Sequence, residues 1–256
     1  MAKAYKGAKP KVAVDPGHGG TDAGAVKYLR EEDVNLTMGL ACRDFLELHD
    51  VAIWMSRTKD VDTDLNKMCR DINAWGADLA ISCHNNAGGG DGFEVYHSLV
   101  GGKGRALAKN IESEVKEIGQ NSRGLKTRRS TKFPGQDYYG FIRMTKCPAV
   151  ICEGVFVDNK TDVQIADTLA EQRLFGYAYA KGALKTLGIK EKPVYETTSS
   201  MNFRDAASLD SKVLATIPEG TVLTGVVDSN GWLKTTYKGK TGYVRAKGQK
   251  TYCKKV

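Results

Sequence analysis

Val12-Ala-Val-Asp-Pro-Gly-His-Gly-Gly20 and Leu79-Ala-Ile-Ser-Cys-His-Asn-Asn86 share one plan: a short apolar run passes directly into a polar Gly/Asn-rich turn that carries a histidine. Further short apolar runs occur at Val51–Met55, Gly92–Tyr96, Tyr139–Arg143 and Ala149–Cys152, and Lys11–Val14 and Leu79–Ser82 complete the set of expected strands. Between them lie segments of helical period. Asp33 to Leu48 places Val34, Met38, Cys42 and Phe45 on one face, and Leu65 to Trp75, Gly102 to Ile118 and Gln172 to Leu187 behave similarly. Strands alternating with helices predict an α/β domain with a mostly parallel sheet covered by helices on both faces. In such sheets ligands collect at the carboxyl ends of strands, where His18 and His84 fall.

The remaining composition narrows the possibilities. Among 256 residues, no apolar stretch approaches the ~20 needed to span a bilayer, and Met1-Ala-Lys-Ala-Tyr-Lys-Gly-Ala-Lys-Pro10 has no apolar core after its charges, so no secretory signal or membrane insertion is expected. The net charge of +8 is uneven: residues 1–195 hold 28 Lys/Arg against 25 Asp/Glu, whereas residues 196–256 hold 10 against 5. A basic surface of this kind attracts polyanions, and with no nucleic-acid motif beside it no nucleic-acid partner is expected. The six cysteines form no Cys-x-x-Cys pair, which argues against a thiolate zinc knot and a redox motif.

After Gly188 the polar stretch Ile189-Lys-Glu-Lys-Pro-Val-Tyr-Glu-Thr-Thr-Ser-Ser200 reads as a linker. The expected division is residues 1–189, a linker at 190–199, and a second domain at 200–256. In the last part the period becomes two, with short strands at Val213–Ile217, Val222–Val227, Leu233–Tyr237 and Thr241–Val244 separated by turns. About 60 residues of short strands without a helix predict a small all-β barrel.

A catalytic zinc site takes about three protein ligands and leaves one position open. His18 and His84 supply two. Glu31 opens the first long helix and shares a face with Val34, Asn35 and Met38, so it is either a third ligand or a first-turn carboxylate complementing the helix dipole; Glu32 lies with Gly39 and Arg43 on a face read as solvated. Glu153 ends an otherwise apolar strand, where an ionised carboxylate must be paired or functional, and it is the best candidate for a base. Cys83 and Cys152 adjoin His84 and Glu153 and, by strand alternation, face away from them. His97 reads as a residue at the rim of a site and His49 as an exposed turn residue. Gly17-His-Gly-Gly20 fails as a dinucleotide fingerprint because Asp22 takes the third glycine position, and Gly88-Gly-Gly90 reads as a mobile loop.

These stretches, together with Glu31-Glu-Asp-Val-Asn-Leu36, Ser56-Arg-Thr58, Gly92-Phe-Glu-Val-Tyr96 and Pro148-Ala-Val-Ile-Cys-Glu-Gly-Val-Phe-Val-Asp-Asn159, occur in an order that resembles the third family of zinc-dependent N-acetylmuramoyl-L-alanine amidases, the cell-wall hydrolases of autolysins and endolysins. The resemblance covers roughly residues 10–188. It implies a Zn2+ cofactor on His18, Glu31 and His84, and Glu153 as the catalytic glutamate. It also implies cleavage of the amide between N-acetylmuramic acid and L-alanine of peptidoglycan. Cys83, Cys152 and Gly154-Val-Phe156 depart from the residues usual in the family and leave the four polar roles filled. Asn85 and His97 are candidates to touch substrate.

The last domain resembles bacterial SH3-like modules through Met201-Asn-Phe-Arg204, the expected hairpin Val213-Leu-Ala-Thr-Ile-Pro-Glu-Gly220, Gly231-Trp232 and Gly239-Lys-Thr-Gly-Tyr-Val244. This implies a cell-wall ligand, with Trp232 and Tyr243 as candidate contacts. The rival readings are a zinc-dependent stem-peptide peptidase and a non-catalytic wall-binding protein. The expected setting is a phage lysin held in the host cytoplasm until released to the wall, or a protein secreted by a non-classical route.

Overall fold

A computed structural model describes residues 8–256. Residues 1–7, the start of the segment read as lacking a secretory core, lie outside the described residues. The chain divides into two compact units, one reaching Lys190 and one spanning Glu191–Val256.

The first unit is built on a six-stranded sheet. Its strands are β1 (Lys11–Pro16), β2 (Ala52–Met55), β3 (Leu79–Asn86), β4 (Phe93–His97), β5 (Ser122–Lys126) and β6 (Ala149–Phe156), in the order β2-β1-β3-β6-β4-β5. The pairs β1–β2, β1–β3, β3–β6 and β4–β5 are parallel, and β4 runs antiparallel to β6. The helices are α1 (Glu31–Glu47), α2 (Leu65–Trp75), α3 (Gly102–Glu117), α4 (Gly140–Met144) and α5 (Leu169–Leu187).

Strand alternation sorts the core into two layers. Ala13, Ala80, Ala149 and Ile151 pack with Met68, Cys69 and Ile72 of α2 and Phe141 and Ile142 of α4. The alternate residues Val12, Val14, Ile81, Cys83, Val150 and Cys152 are fully buried on the opposite face, the face on which α1 and α3 pack and α5 closes against both helices. Helix ends follow local chemistry. Asp64 caps α2 by accepting from the Lys67 amide, and Gly76 ends it in the left-handed conformation; Thr168 and Glu171 form a reciprocal capping box for α5.

The mostly parallel sheet with helices on both faces is present as expected. Three local readings change. Tyr139–Arg143, read as a strand, is the one-turn helix α4, because an apolar run this short has no resolvable period. β5 escapes notice because its Ser-Arg-Gly-Leu-Lys sequence is polar, as a solvated edge strand permits. His49, read as exposed, is buried with its ring stacked on Phe45 at 5.0 Å and its Nδ1 2.8 Å from the Phe45 carbonyl oxygen.

The second unit contains no helix among its described elements. β7 (Val194–Thr197) pairs with β10 (Val222–Thr224) and β14 (Cys253–Lys255), and a second sheet has the order β11 (Val226–Val227), β12 (Trp232–Tyr237), β13 (Lys240–Arg245), β8 (Met201–Arg204), β9 (Val213–Ile217). Phe203, Ile217, Leu223, Leu233, Val244 and Cys253 fill the core. Two expectations are corrected. Residues 190–199, read as a linker, contain β7; and Val213–Gly220 is no hairpin, since β9 pairs with β8 while β10 pairs with β7. A proline in a polar stretch suggested a tether, yet Val194 and Thr197 are buried by the two strands flanking β7.

Candidate metal centre

Three sequence-distant side chains converge where β1 and β3 end and α1 begins. Glu31 Oε1 lies 3.1 Å from His18 Nε2 and 3.2 Å from His84 Nδ1, and the three candidate ligand atoms all fall within 4.8 Å of one another. The two rings meet edge-on with centroids 4.9 Å apart. With metal–ligand bonds of about 2.0–2.1 Å, tetrahedral ligands stand about 3.3 Å apart, so the carboxylate-to-ring distances suit one divalent cation. The donor set of two imidazoles and one carboxylate is that of a catalytic zinc site with a fourth position open.

Local sequence explains the convergence. His18 takes a positive φ of 63°, a conformation costing a non-glycine residue about 1–3 kcal/mol, and the loop around it is held by buried Arg57. The Arg57 guanidinium donates to the Pro16, Gly17 and Glu32 carbonyl oxygens at 2.8, 3.0 and 2.7 Å. A Cβ on Gly17 would lie 2.2 Å from the His84 ring, and one on Gly24 would lie 2.6 Å from Glu31 Oε2, so each glycine vacates the space one ligand occupies. Glu31 is further fixed by the Asn85 amide at 3.1 Å and the Ala25 amide at 2.9 Å. Asp22 Oδ2 accepts from His18 Nδ1 at 2.8 Å, which directs Nε2 toward Glu31.

Electrostatics separate the site's carboxylates. Burial alone would raise the Glu31 carboxyl, but hydrogen bonds from His18 and His84 overcome it and hold Glu31 well below the usual carboxylate range. The Glu31 hydrogen bond, reinforced by Asp22, raises His18 to about 9 against the opposing effect of burial. Burial lowers the His84 imidazole, yet its bond to Glu31 and the charge of Glu153 leave it raised. Glu153, in register with His84 on the adjacent strand, goes the other way: burial, helped by Glu31 and Glu94, pushes it up to about 7 against the pull of His84 and His18. A cleft of about 300 Å³ opens beside His18 and His84, with Leu65, Met68, Tyr139, Phe141 and Ile151 as its apolar walls.

The other candidates separate clearly. His84 and Glu153 lie inside strands that run four residues past their expected ends at Ser82 and Cys152, because β3 and β6 keep pairing to Asn86 and Phe156 through a bulge. Glu32 is buried and paired with Arg30 at 2.5 Å, not solvated. Asn85, a substrate candidate, is buried instead: its amide donates to Asn35 Oδ1 at 2.8 Å and accepts from the Val155 amide at 3.0 Å, tying α1 to β6. His97 is also corrected. β4 is antiparallel to β6, so His97 pairs with Val150, three residues before Glu153, and is buried with Nδ1 2.8 Å from the Ser98 carbonyl oxygen.

Cys83 and Cys152 face the α1 side, and burial pushes both thiols well above their ordinary value. Gly88-Gly-Gly90, read as a mobile loop, is pinned by Asp158 through the Gly88 and Gly89 amides and by Asn159 through the Gly90 carbonyl oxygen. In the second unit Trp232 lines a cleft of about 530 Å³ with Arg245 over its ring at 5.4 Å, and Tyr243 is part-buried with Lys234 at 6.0 Å from its ring centre. The sequence reading missed the roles of Asp22 and Arg57. Each was visible as an ionisable residue within or just after a strand-end turn, but Arg57's partners come from other elements, and Asp22 meets His18 through the irregular path of the turn they share.

Comparison with known proteins agrees with this geometry. Residues 12–185 match the family described as N-acetylmuramoyl-L-alanine amidase, and residues 199–248 match the bacterial SH3 domain. The chain is 32% identical over 207 residues to the N-acetylmuramoyl-L-alanine amidase CwlM of Bacillus licheniformis, covering 78% of each protein. It is 31% identical over 191 residues to the endolysin of Bacillus phage SPP1, covering 71% of this chain and 67% of that one. Among solved structures, Cwp6 from Clostridium difficile superposes with a TM-score of 0.68 at 30% identity, over 70% of this chain and 30% of that one. With the family match spanning most of the first unit, the chain belongs to the N-acetylmuramoyl-L-alanine amidase family and is an amidase of peptidoglycan.

Proposed function

We propose that this amidase works with zinc held by His18, Glu31 and His84, and that Glu153 is its general base, in hydrolysing the amide between the lactyl group of N-acetylmuramic acid and L-alanine. The observation that carries the reading is the single Glu31 oxygen shared by two imidazoles, with Glu153 in register beside His84. When bound, zinc would supply Lewis acidity, polarising the scissile carbonyl and acidifying water. Asp22 holds His18 with Nε2 toward the centre, and Glu31 binds both rings in one geometry. Glu153 takes the proton of the attacking water and returns it to the departing alanine nitrogen, a double role suited to a carboxyl that burial has raised to about 7. The apolar walls of the cleft give the substrate a nonpolar surface beside His18 and His84.

We also propose that the SH3-like unit holds the enzyme on the wall, with Trp232 and Tyr243 as contacts, and that the protein serves as a phage lysin kept in the host cytoplasm until release. The endolysin of phage SPP1 among its relatives supports this setting. The test is digestion of purified peptidoglycan by the zinc-loaded chain. New alanine amino groups without new reducing ends are expected, with mass spectra showing intact stem peptides and loss of activity on chelation. Cleavage inside the stem peptide would mark a peptidase, and wall binding without release would mark a binding protein; either result overturns the proposal.

A further inference from the structure

Outward from the candidate metal centre, one row of side chains crosses four neighbouring strands. His84 on β3 is in register with Glu153 on β6, and Glu153 with Glu94 on β4. The β4–β5 register slips between Phe93 and Val95, which sets Arg123 and Gly124 of β5 opposite Glu94. Glu94 is buried, and its Oε1 accepts from Arg123 Nε at 2.6 Å, with Lys126 Nζ at 4.0 Å. Its Oε2 accepts from Tyr96 Oη and Asn86 Nδ2, each at 3.2 Å, and Tyr96 packs edge-on against Tyr139, a wall of the cleft. The Arg123 and Lys126 side chains remain 43% and 37% exposed. One buried carboxylate therefore holds two part-exposed cations at the edge of the active face. Beyond His18 the charge is opposite, because Asp22 and Asp62 line that end of the cleft.

This polarity matters for an asymmetric substrate. One side of the scissile amide is a sugar, and the other is a peptide whose second residue is a glutamate linked through its γ-carboxyl, with the α-carboxyl free or amidated. That carboxyl lies about two residues, or ~7 Å, from the scissile nitrogen. Two strand spacings from Glu153 to Arg123 amount to ~10 Å, and Arg123 leans back over Glu94, so the distances agree. Building on the amidase reading above, we propose that Arg123 and Lys126 bind the free α-carboxylate of the second stem residue, so that the peptide lies toward β5 and the sugar toward Asp22 and Asp62. The pair Glu94–Arg123 positions the fork, and Lys126 adds charge.

The test compares two soluble substrates, N-acetylmuramoyl-L-alanyl-D-glutamate and its D-isoglutamine counterpart, on the full zinc-loaded chain. The wild type should favour the free acid. Losing a charge-assisted hydrogen bond should make Arg123→Gln about tenfold slower in kcat/KM on the acid and less than about twofold slower on the amide. Lys126→Gln should act in the same direction with a smaller loss. Where Arg123→Gln leaves Glu94 unpaired and spoils folding, the double substitution Arg123→Gln with Glu94→Gln should restore the fold without restoring discrimination. Equal losses on both substrates, or a wild type indifferent to the α-carboxyl, would overturn the proposal. A wild type that releases alanine peptide from neither substrate would overturn the amidase reading beneath it.

Discussion

The first turn of α1 and the carboxyl half of β6 each bring a glutamate to His84, and the two carboxylates are held in opposite ways. Glu31 sits between two imidazoles and two backbone amides, so everything near it favours its charge. Glu153 stands on a strand with burial as its main influence and two more carboxylates, Glu31 and Glu94, within electrostatic reach. Two groups that are the same residue type are thereby driven apart in acidity, which is the division the proposed mechanism needs between an anion for the cation and a titrating group for proton transfer.

Removing charge from the Glu31 side should have the largest effect. Glu31→Gln removes the negative charge and leaves one oxygen where the carboxylate had two, so zinc affinity should fall by well over the about 100-fold that loss of an outer partner costs, with activity falling alongside. Metal content after dialysis, read by atomic absorption, checks this. On the Glu153 side the outcome should split differently: Glu153→Gln should retain its zinc while turnover drops about 10²–10⁴-fold. If Glu153→Gln retained full turnover, the division of labour between the two glutamates would fail. A smaller effect is expected from Asp22→Asn, which keeps the shape but weakens the grip on His18. About a 10–100-fold loss in zinc affinity should follow, with turnover at saturating zinc close to the parent.

The same contrast shows why part of the site was legible in the chain and part was not. His18 and His84 stand directly after apolar runs and Glu153 ends one, while the faces of Glu31, His84 and Glu153 follow from periods of 3.6 and 2. Strand direction has no such signature. β4 reads like β6 but runs the other way, so His97 was credited to a site three residues down β6 from where it lies. Asn85 failed for a related reason: alternation along β3 turns it toward α1, where Asn35 takes its amide. Arg57 acts through carbonyl oxygens on other elements and Asp22 through a histidine four residues earlier in an irregular turn, and no spacing rule reports either. β7 was hidden because a short polar segment, Val-Tyr-Glu-Thr after a proline, resembles a tether until the two strands that flank it are known.

The opposed acidities also make two proton-linked expectations. At pH 8 the metal-free His18, raised to about 9 chiefly by Glu31, is mostly protonated, whereas a metal ligand must be neutral. Zinc uptake at that pH should therefore release about one proton or more, seen as a binding heat that differs between phosphate and Tris in proportion to their ionisation enthalpies.

The smallest expected effect lies in stability, where the signs are opposite for the two kinds of group. An imidazole raised on folding stabilises the fold fully below its free value of 6.5, and that contribution is lost as pH rises through about 9. A carboxyl depressed on folding contributes above its ordinary value of 4.5 and is lost as pH falls below it. The metal-free protein should thus melt highest between about pH 5 and 6.5 and lose melting temperature toward pH 10, as the His18–Glu31 pair loses its proton. Zinc takes the place of those protons, so the loaded protein should keep its melting temperature over the alkaline interval where the free one declines. Parallel curves for the two forms from pH 6 to 10 would mean that Glu31 does not hold His18 as a charged pair, and the contrast with Glu153 would lose its electrostatic basis.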